Sequence, residues 1–377
     1  MFRNDVAQSS SLDPVGTPTR AQNYGLHSKS WVSEESRLDV QVSVHPGILI
    51  GASMRTNLIR VAKRIARRII GRPIVGRSIL VYHRVARVDF DPWNLAVTPN
   101  EFERQLCKLR SKTVLPLREF ARLHIENRLP RNAVAITFDD GYACNALVAA
   151  PVLESFGFPA TFFIVSDAIS RAEEFWWDQL ELIFHARGFE YQTATHLLPN
   201  RAETKRYAAL PDKRPLTPFF AMWALLRDLS AEGRRRYFDQ LRDLMGLKSE
   251  LRATHRPMTV PELRTLASNP LFEIGGHTAT HPSLPTLSPA MQEQEIVSGS
   301  RFLEAIIGKP VRSFSYPFGD WGPTTHDIVM RAGFECAVTA EHRRVTASDD
   351  QFELPRRQAL SRNARMLEKE DIPAASN

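Results

Sequence analysis

Cysteine is scarce in this chain, which has three among 377 residues. Cys107, Cys144 and Cys336 are widely spaced and odd in number. Small secreted domains that depend on disulfides carry many cysteines, and thiolate metal sites need several of them at close spacing. The sequence therefore predicts neither a disulfide framework nor a cysteine-ligated metal, and it fits a reducing compartment.

Long apolar runs are also missing. None is long enough to cross a bilayer, and Met1–Asp5 leads into polar residues rather than into the apolar core of a signal peptide. These absences predict a cytoplasmic protein without a transmembrane helix. Residues 55–72 nevertheless alternate apolar and basic positions at helical spacing. Such a helix can lie on an anionic membrane surface or pack on the main domain, and both interpretations stay open.

Charge and apolar content set broad limits on the protein class. Hydrophobic residues make up 43% of the chain, which is enough for one sizeable core. The formal net charge of +7 suits an anionic surface or polymer but does not establish nucleic-acid binding. We therefore predict no nucleic-acid partner, and nothing in the sequence indicates an oligomeric state.

Composition divides the chain into four parts. Residues 1–52 are rich in Ser, Pro, Asn and Gln without lasting periodicity, so we predict disorder there. The basic helical or linker segment follows at 53–77, and the main domain spans 78–362. Within it, residues 170–255 form a helical insertion, and 363–377 are a polar tail.

Strand-like and helix-like patterns alternate through the main domain, which favours a parallel α/β fold. Capping signals at Thr98, Thr259 and Ser288 predict helix starts, and the last of these helices is expected to run to about Ile307. The predicted strands lie at 78–83, 134–138, 160–165, 272–274, 313–316, 336–339 and 352–354.

Two adjacent carboxylates end the strand Val134–Phe138. Asp139 and Asp140 are followed by Gly141, which supplies the backbone freedom for a break into a loop. Successive side chains of a strand point to opposite faces, so the two carboxylates can share one site only where the strand ends. Active sites of α/β proteins lie at the carboxyl ends of their strands. The alternative is a solvated Asp-Asp-Gly turn.

A second polar pair follows the strand-like residues 272–274 and a glycine pair. His277 and His281 are four residues apart, a spacing at which both imidazoles can reach one ion. A carboxylate and two neutral imidazoles are a common ligand set for catalytic zinc. The alternative is two unrelated surface histidines. Because both polar pairs follow strands, we expect them at the same rim, and the spacings predict a metal-assisted hydrolase.

These residues resemble a known family. Residues 137–141 (Thr-Phe-Asp-Asp-Gly) and 277–281 (His-Thr-Ala-Thr-His) are similar to the first two motifs of the polysaccharide deacetylases, carbohydrate esterase family 4, also called the NodB-homology domain. Residues 314–319 resemble the third motif, with Ser315 in place of the family's usual Arg. With the alternation above, this predicts a distorted (β/α) barrel of about seven strands, with a helical insertion and a disordered N-terminal segment.

The resemblance implies roles for the first two motifs. Asp140, His277 and His281 would bind a divalent metal, for which zinc is the leading expectation, and Asp139 would be the general base. The implied substrate is a poly- or oligosaccharide with N-acetylhexosamine units, from which the enzyme would remove acetyl groups.

The third motif and the general acid are assigned more loosely. The backbone N–H of Phe318, after Tyr316 and Pro317, would stabilise the oxyanion, since backbone donors need no reorganisation. Ser315 cannot replace a guanidinium, so the role of the missing Arg either passes to another residue, for which Arg356 and Arg357 are candidates, or is lost. The family's usual Leu-x-His motif near the C-terminus is not apparent. His83 ends the first strand, which in a closed barrel places it on the same rim as Asp139, and it resembles the histidine of family members whose last motif is permuted to the front. It is the candidate general acid; the alternatives are a structural histidine bonded to the rim, with His342 as the acid.

Other functions fit the same residues. Ser315 and the missing last motif are compatible with a glycan-binding module whose site is inactive, and the same site could hydrolyse a non-sugar amide. Two histidines and one carboxylate also occur in iron oxygenases. The second carboxylate favours the hydrolase because a general base has an evident task there.

Overall fold

The structure, a computed structural model, describes residues 76–197, 217–247 and 251–360. The predicted disorder of 1–52, the basic segment as far as residue 75 and the polar tail lie outside the described residues. Part of the insertion, residues 198–216 and 248–250, also lies outside them. Among the described helices, none has the length and apolar character needed to cross a membrane.

The described chain alternates strands and helices in the predicted manner. The strands are β1 (Ser78–Tyr82), β2 (Arg84–Val85), β3 (Ala96–Val97), β4 (Thr113–Val114), β5 (Ala133–Phe138), β6 (Ala160–Ile164), β7 (Phe272–Gly276), β8 (Ser313–Ser315), β9 (Cys336–His342) and β10 (Leu354–Gln358). The α-helices are α1 (Pro99–Leu109), α2 (Leu117–Ile125), α3 (Ala150–Phe156), α4 (Ser166–Arg171), α5 (Trp176–Phe184), α6 (Tyr191–His196), α7 (Thr217–Arg227), α8 (Ala231–Met245), α9 (Val260–Ser268), α10 (Pro289–Ile307) and α11 (Pro323–Arg331). A π-helical turn, Asn145–Ala149, leads into α3, and short 3₁₀ turns occur at Leu284–Thr286 and Pro317–Gly319.

Seven parallel strands close into a barrel, which confirms the predicted fold. Around the ring, β1 is followed by β5, β6, β7, β8, β9 and β10, and β10 pairs again with β1. Val81 lies opposite Thr137 of β5, and Ile79 lies opposite Arg356 of β10. The short strand β4 pairs with the start of β5, while β6 pairs with its end. Because all strands are parallel, their carboxyl ends meet at one rim.

Alternation along the strands separates the barrel interior from its outer face. One set of strand residues packs with helices α1, α9 and α10, through side chains such as Phe102, Leu263 and Leu303. The other set points into the barrel and forms a separate cluster, which also includes residues of α2. Its strand members are Ile79, Ala133, Ala135, Phe163, Cys336, Val338 and Leu354. Asp139 and His277 continue this second set past the ends of β5 and β7, so strand alternation directs both toward the barrel axis.

One barrel glycine is required by a close approach. A Cβ at Gly275 of β7 would lie 2.4 Å from Cδ1 of Phe163. The missing side chain therefore leaves room for the Phe163 ring in the barrel interior.

The capping signals are confirmed, and most strands begin and end within two residues of the predicted limits, although β9 continues three residues further, to His342. The Thr98 hydroxyl accepts from the N–H of Glu101, Thr259 and Glu262 form a complete capping box, and Ser288 caps a helix that ends at Ile307. The last strand was predicted wrongly at 352–354, because Pro355 and two arginines interrupt the apolar run. It begins at Leu354 and continues to Gln358, because the Arg356 side chain is paired inside the barrel.

The insertion forms its own apolar cluster above the rim. Helices α5, α7 and α8 pack around Leu180, Phe219 and Phe238, together with Tyr142 and Val165, which follow strands of the barrel. Aromatic side chains of these helices, such as Phe219 and Phe238, make up much of the cluster. The insertion cluster therefore lies next to the carboxyl ends of the barrel strands.

Candidate active site

A cavity of about 800 Å³ opens at the carboxyl ends of the strands. It is lined by nearly all the residues singled out in the sequence, namely His83, Asp139, Asp140, His277, His281, Tyr316, Phe318, His342 and Arg356. Aromatic residues Trp93, Trp177, Trp223 and Trp321 also line it. The predicted meeting of an early carboxylate pair with a later histidine pair is therefore present in the fold.

The chain reverses sharply between the two carboxylates. Asp139 extends β5, and its N–H donates to the carbonyl of Tyr82 at 2.9 Å. Asp140 then adopts φ +73°, in the left-handed region, and Gly141 follows at φ +94°. A side chain with a Cβ is strained in that region. The turn brings both carboxylates to the same cavity, which a regular strand could not do.

Asp140, His277 and His281 form a candidate metal centre. Oδ1 of Asp140 lies 3.6 Å from Nε2 of each histidine, and the three ligand atoms all lie within 4.8 Å of one another. All three side chains are buried. Nδ1 of His277 lies 2.7 Å from the carbonyl oxygen of Ser315, so this nitrogen carries the proton and Nε2 is left with its lone pair. One carboxylate oxygen and two imidazole nitrogens suit a divalent metal such as zinc.

Electrostatics of the three side chains also fit a cation. Burial lowers the pKa of His277, and burial together with nearby His277 lowers the pKa of His281 well below its usual range. Both rings are therefore neutral, as metal ligands must be. Burial and the neighbouring Asp139 raise the pKa of Asp140 well above its usual range. A bound cation would favour the ionised form of Asp140.

Glu295 holds the loop that carries both histidines. Its Oε2 accepts from the N–H groups of Ala279 and Thr280 at 3.0 and 2.8 Å, and its Oε1 accepts from the Thr280 hydroxyl at 2.8 Å. Thr278 and His281 both adopt positive φ, at +65° and +57°. Such backbone persists where surrounding bonds fix it. Glu295 lies on α10, outside any motif, and no signal in the single sequence pointed to it.

Glu295→Ala is therefore expected to weaken metal binding. The loop would lose three hydrogen bonds to a carboxylate, and loss of a group that orients metal ligands typically costs about 10- to 100-fold in affinity. Isothermal titration with zinc would measure the change. Glu293→Ala, at an exposed residue of the same helix, is the matched control and should bind zinc as the wild type does. Equal zinc affinity in both variants would contradict this role of Glu295.

Arg356 forms a buried ion pair with Asp139. Its Nη1 donates to Oδ1 at 2.7 Å and its Nη2 to Oδ2 at 2.6 Å, with both side chains buried. Nη2 also donates to the Ser315 hydroxyl at 2.9 Å, and Nε donates to the carbonyl of Thr339 at 2.9 Å. The guanidinium thus lies beside Ser315, where the family's third motif has its Arg. Arg357 is the next residue along β10, so strand alternation directs it away from Asp139.

The ion pair sets the protonation of Asp139. Burial alone would raise its pKa, but the charge and hydrogen bonds of Arg356 outweigh burial and hold the pKa below its usual range. Asp139 is therefore ionised over the working range of most enzymes and can accept a proton, although the guanidinium reduces its basicity. The two neighbouring carboxylates have opposite pKa shifts, as groups with separate roles do.

The third motif forms a tight turn at the cavity wall. Tyr316 and Pro317 are buried, and Phe318 adopts φ +59°. The Phe318 ring packs edge-on against His281, with 4.6 Å between ring centroids. The turn therefore lies directly beside the candidate metal centre, where the sequence placed the oxyanion donor.

Two histidines remain as candidate acids. His83 directly follows β1, and its Nδ1 is buried without a hydrogen-bond partner among the described residues. Burial lowers the pKa of His83 to about 4, against the opposing attraction of Asp139. His342, the last residue of β9, is exposed, and its Nδ1 accepts from the N–H of Gln358 at 3.3 Å. Both imidazoles line the cavity.

Trp177 connects the insertion to the metal centre. Its ring lies 4.8 Å from that of His281, and its Nε1 donates to the Tyr142 hydroxyl at 2.8 Å. Tyr142 donates to Asp178 at 2.8 Å, and Arg84 lies on the other oxygen of that carboxylate. Trp176 and Trp177 are both buried, and of the two only Trp177 lines the cavity.

A second group of potential ligands occurs in the described part of the chain. Ligand atoms of Asp178, Glu181 and His255 lie within 4.8 Å of one another. Arginines already pair with its carboxylates, since Arg84 lies 3.4 Å from Asp178 and Arg252 lies 3.1 Å from Glu181. This group is therefore better explained as an ion-pair network than as a metal site.

Comparisons with known sequences agree with this geometry. Residues 126–212 and 251–337 match the family model for polysaccharide deacetylases. Over 123 residues the chain is 31% identical to YxkH of Bacillus subtilis (strain 168), a match that covers 32% of this chain and 43% of that protein. It is 28% identical over 152 residues to a poly-beta-1,6-N-acetyl-D-glucosamine N-deacetylase of Staphylococcus aureus (strain MSSA476), covering 34% of this chain and 50% of that enzyme. The matched region spans about half the length of these curated relatives.

Solved structures share the fold at lower identity. The deacetylase PplD of Streptococcus pyogenes, in complex with acetate, superimposes with a TM-score of 0.50 and 18% identity, covering 79% of this chain and 99% of that one. The sequence match includes the Asp-Asp-Gly and His-x-x-x-His motifs, and the barrel brings them to one cavity. The chain therefore belongs to the polysaccharide deacetylase family, carbohydrate esterase family 4.

Proposed function

We propose that the protein is a metal-dependent hydrolase that removes N-acetyl groups from N-acetylhexosamine units of a poly- or oligosaccharide. The proposal rests on one observation: the candidate metal centre and the candidate base, Asp139, lie in the same cavity. Three metal-ligand side chains lie beside a second carboxylate that is ionised and ion-paired to Arg356. The similarity to the Staphylococcus aureus enzyme supports a glycan rich in N-acetylglucosamine as the substrate class.

Asp140, His277 and His281 would hold the metal, and zinc is our proposal for it because the donor set is one carboxylate and two neutral imidazoles. When bound, a divalent metal supplies Lewis acidity, which lowers the pKa of a water and polarises a carbonyl. His277 is oriented for this by its bond to Ser315, and His281 by its packing between Trp177 and Phe318.

Asp139 would accept a proton from the attacking water. Its two oxygens accept hydrogen bonds from Nη1 and Nη2 of the Arg356 guanidinium, so the carboxylate is oriented before the substrate arrives. As the amide carbon becomes tetrahedral, negative charge develops on its oxygen, and the N–H of Phe318 would donate to that oxygen. The Tyr316 side chain, which lines the cavity, would form part of the wall of the acetyl subsite, with the buried Pro317 next to it in the turn.

His83 would deliver a proton to the leaving amine. Its imidazole is neutral in the resting site, so it must first take up a proton, and Asp139 is the nearby group that gains one during the reaction. Transfer through His83 leaves Asp139 ionised for the next turnover. The C–N bond then breaks, the amine leaves neutral, and the acetyl group leaves as acetic acid, which gives its remaining proton to water.

The two candidate acids can be separated by substitution. His83→Gln is expected to lower the rate of acetate release by about 100-fold or more, because general acid catalysis typically contributes that much. His342→Gln, at the exposed alternative in the same cavity, should change the rate little. Steady-state kinetics of both variants would measure this. The reverse pattern would assign the proton transfer to His342 and overturn the role of His83.

Acetate release tests the proposed function itself. The protein is incubated with chitooligosaccharides and, separately, with poly-β-1,6-linked N-acetylglucosamine, with and without zinc after chelation. We expect release that needs the metal and that His277→Ala abolishes. Glycan binding without release would instead indicate an inactive binding module, and release only from small non-sugar amides would show a different substrate class. Turnover that requires oxygen and a 2-oxoacid would indicate an iron oxygenase.

A further inference from the structure

Arg227 has no role so far, although it lines the catalytic cavity. It is the last residue of α7, which lies in residues 213–250, between the two segments that match the family model. We propose that Arg227 is a positioning residue, which holds the Pro317–Gly319 turn, and with it the Phe318 N–H, against the loop that follows His281. The inference rests on the proposed function in assigning that N–H to the oxyanion.

Three contacts of the Arg227 guanidinium converge on this region. Nη2 forms an ion pair with Oδ2 of Asp320, the residue after the turn, and also donates to the Ser283 hydroxyl at 3.2 Å. The guanidinium carbon lies 4.8 Å from the centroid of the Phe318 ring, in cation–π geometry. One side chain of the insertion therefore contacts both segments that flank the metal centre.

Ser283 closes the arrangement. Its hydroxyl donates to Oδ2 of Asp320 at 2.8 Å, and it is buried two residues after the metal ligand His281. The loop after β7 and the turn after β8 are thus joined directly and also through Arg227. The Asp320 and Arg227 side chains are only partly exposed, at 33% and 24%, so water screens their ion pair less than a surface pair.

The turn has a backbone that needs external support. Phe318 has φ +59°, and Gly319 has φ +74° with a Cβ position that would lie 2.5 Å from the Ala340 backbone nitrogen. A left-handed conformation strains an ordinary residue, because its Cβ approaches the following carbonyl oxygen. Such strain persists only where the surroundings fix the conformation. Loss of the Arg227 contacts should therefore let the turn relax and displace the Phe318 N–H.

Trp223 supports the same turn from one helical turn earlier. Its ring packs edge-on against Phe318 at 5.7 Å between centroids, and the Arg227 guanidinium lies 5.8 Å from the Trp223 ring. Residues four apart on a helix lie on one face. Helix α7 thus presents an aromatic ring and a cation to the turn. This face belongs to a segment that lies outside the family match.

Arg227→Met removes the charge while keeping much of the side-chain length. We expect kcat for glycan deacetylation to fall about 10- to 100-fold with KM within about twofold, because an oxyanion donor acts mainly in the transition state. Arg227→Lys should restore part of kcat, since it keeps the charge without the fork. Asp320→Asn should reproduce the loss from the other partner. Arg235→Met, which removes a guanidinium from a different ion pair of the insertion, is the control.

Hydrogen exchange measured by mass spectrometry tests the same inference without turnover. In Arg227→Met and Asp320→Asn, peptides covering residues 316–321 should exchange faster than in the wild type, while peptides of β5 and α10 stay unchanged. Unchanged exchange at 316–321 would overturn the inference even if activity falls. A raised KM with unchanged kcat would also overturn it and make Arg227 a substrate contact. If the wild type releases no acetate, the proposed function fails, whereas the exchange result still decides whether Arg227 holds the turn.

Discussion

Arg356→Met is expected to lower the free energy of unfolding by about 3–5 kcal/mol, the cost of leaving one partner of a buried ion pair behind. Asp139 is 3% exposed and receives both of its strong hydrogen bonds from this guanidinium. Without Arg356 the carboxylate must stay charged in a buried site or take up a proton. Either outcome removes an oriented base, so acetate release should also fall below detection. Denaturant unfolding and acetate assays at neutral pH would measure both effects.

A double variant shows whether the lost stability comes from the broken ion pair or from lost packing. In the double variant Asp139→Asn/Arg356→Met, no buried charge is left unpaired, and most of the lost stability should return although activity does not. Arg357→Met is the matched control, because it removes the neighbouring arginine from β10 without touching Asp139. It should retain activity. If the double variant were as unstable as the sum of the two single variants, the ion pair would not be the cause.

Asp139→Asn alone should lower acetate release by about 100- to 10,000-fold, the usual contribution of a general base. The amide has nearly the shape of the carboxylate but cannot accept the proton of water. Because Asp139 does not belong to the group Asp140, His277 and His281, zinc affinity should change by less than a factor of ten. Kinetics and zinc titration of the same preparation would measure the two quantities.

His281→Ala provides the contrasting pattern. This variant should lose zinc affinity and activity together, whereas Asp139→Asn should lose activity alone. The comparison distinguishes a base from a ligand, although the two residues line the same cavity. Retention of full activity by Asp139→Asn would remove the general base from the mechanism. Loss of zinc binding by Asp139→Asn would make it a ligand instead.

The barrel and the two polar pairs could be predicted because their signals are local. The strand before Asp139 and the spacing of His277 and His281 are contained in short stretches, and their meeting follows from the common rim of parallel strands. The limits of β10 could not be predicted in the same way. The apolar pattern stops at Leu354, and the pairing of Arg356 with Asp139, 217 positions earlier, explains why the strand continues into the barrel.

The supporting residues were missed for the same physical reason. Glu295 and Arg227 carry no sequence signal, because each acts through a contact made only after helices pack on the rim. Their roles depend on tertiary geometry, which neither helical periodicity nor capping signals encode. Tyr142 directly follows the Asp-Asp-Gly motif, but no sequence pattern indicated that its hydroxyl links Trp177 to Asp178.

Anomalous diffraction from a crystal soaked in zinc tests the central claim most directly. One ion should appear between Asp140, His277 and His281, within bonding distance of Oδ1 and of the two Nε2 atoms, with Asp139 beside it and still held by Arg356. An ion bound instead by Asp178, Glu181 and His255, or no ordered ion in the cavity at all, would contradict the account.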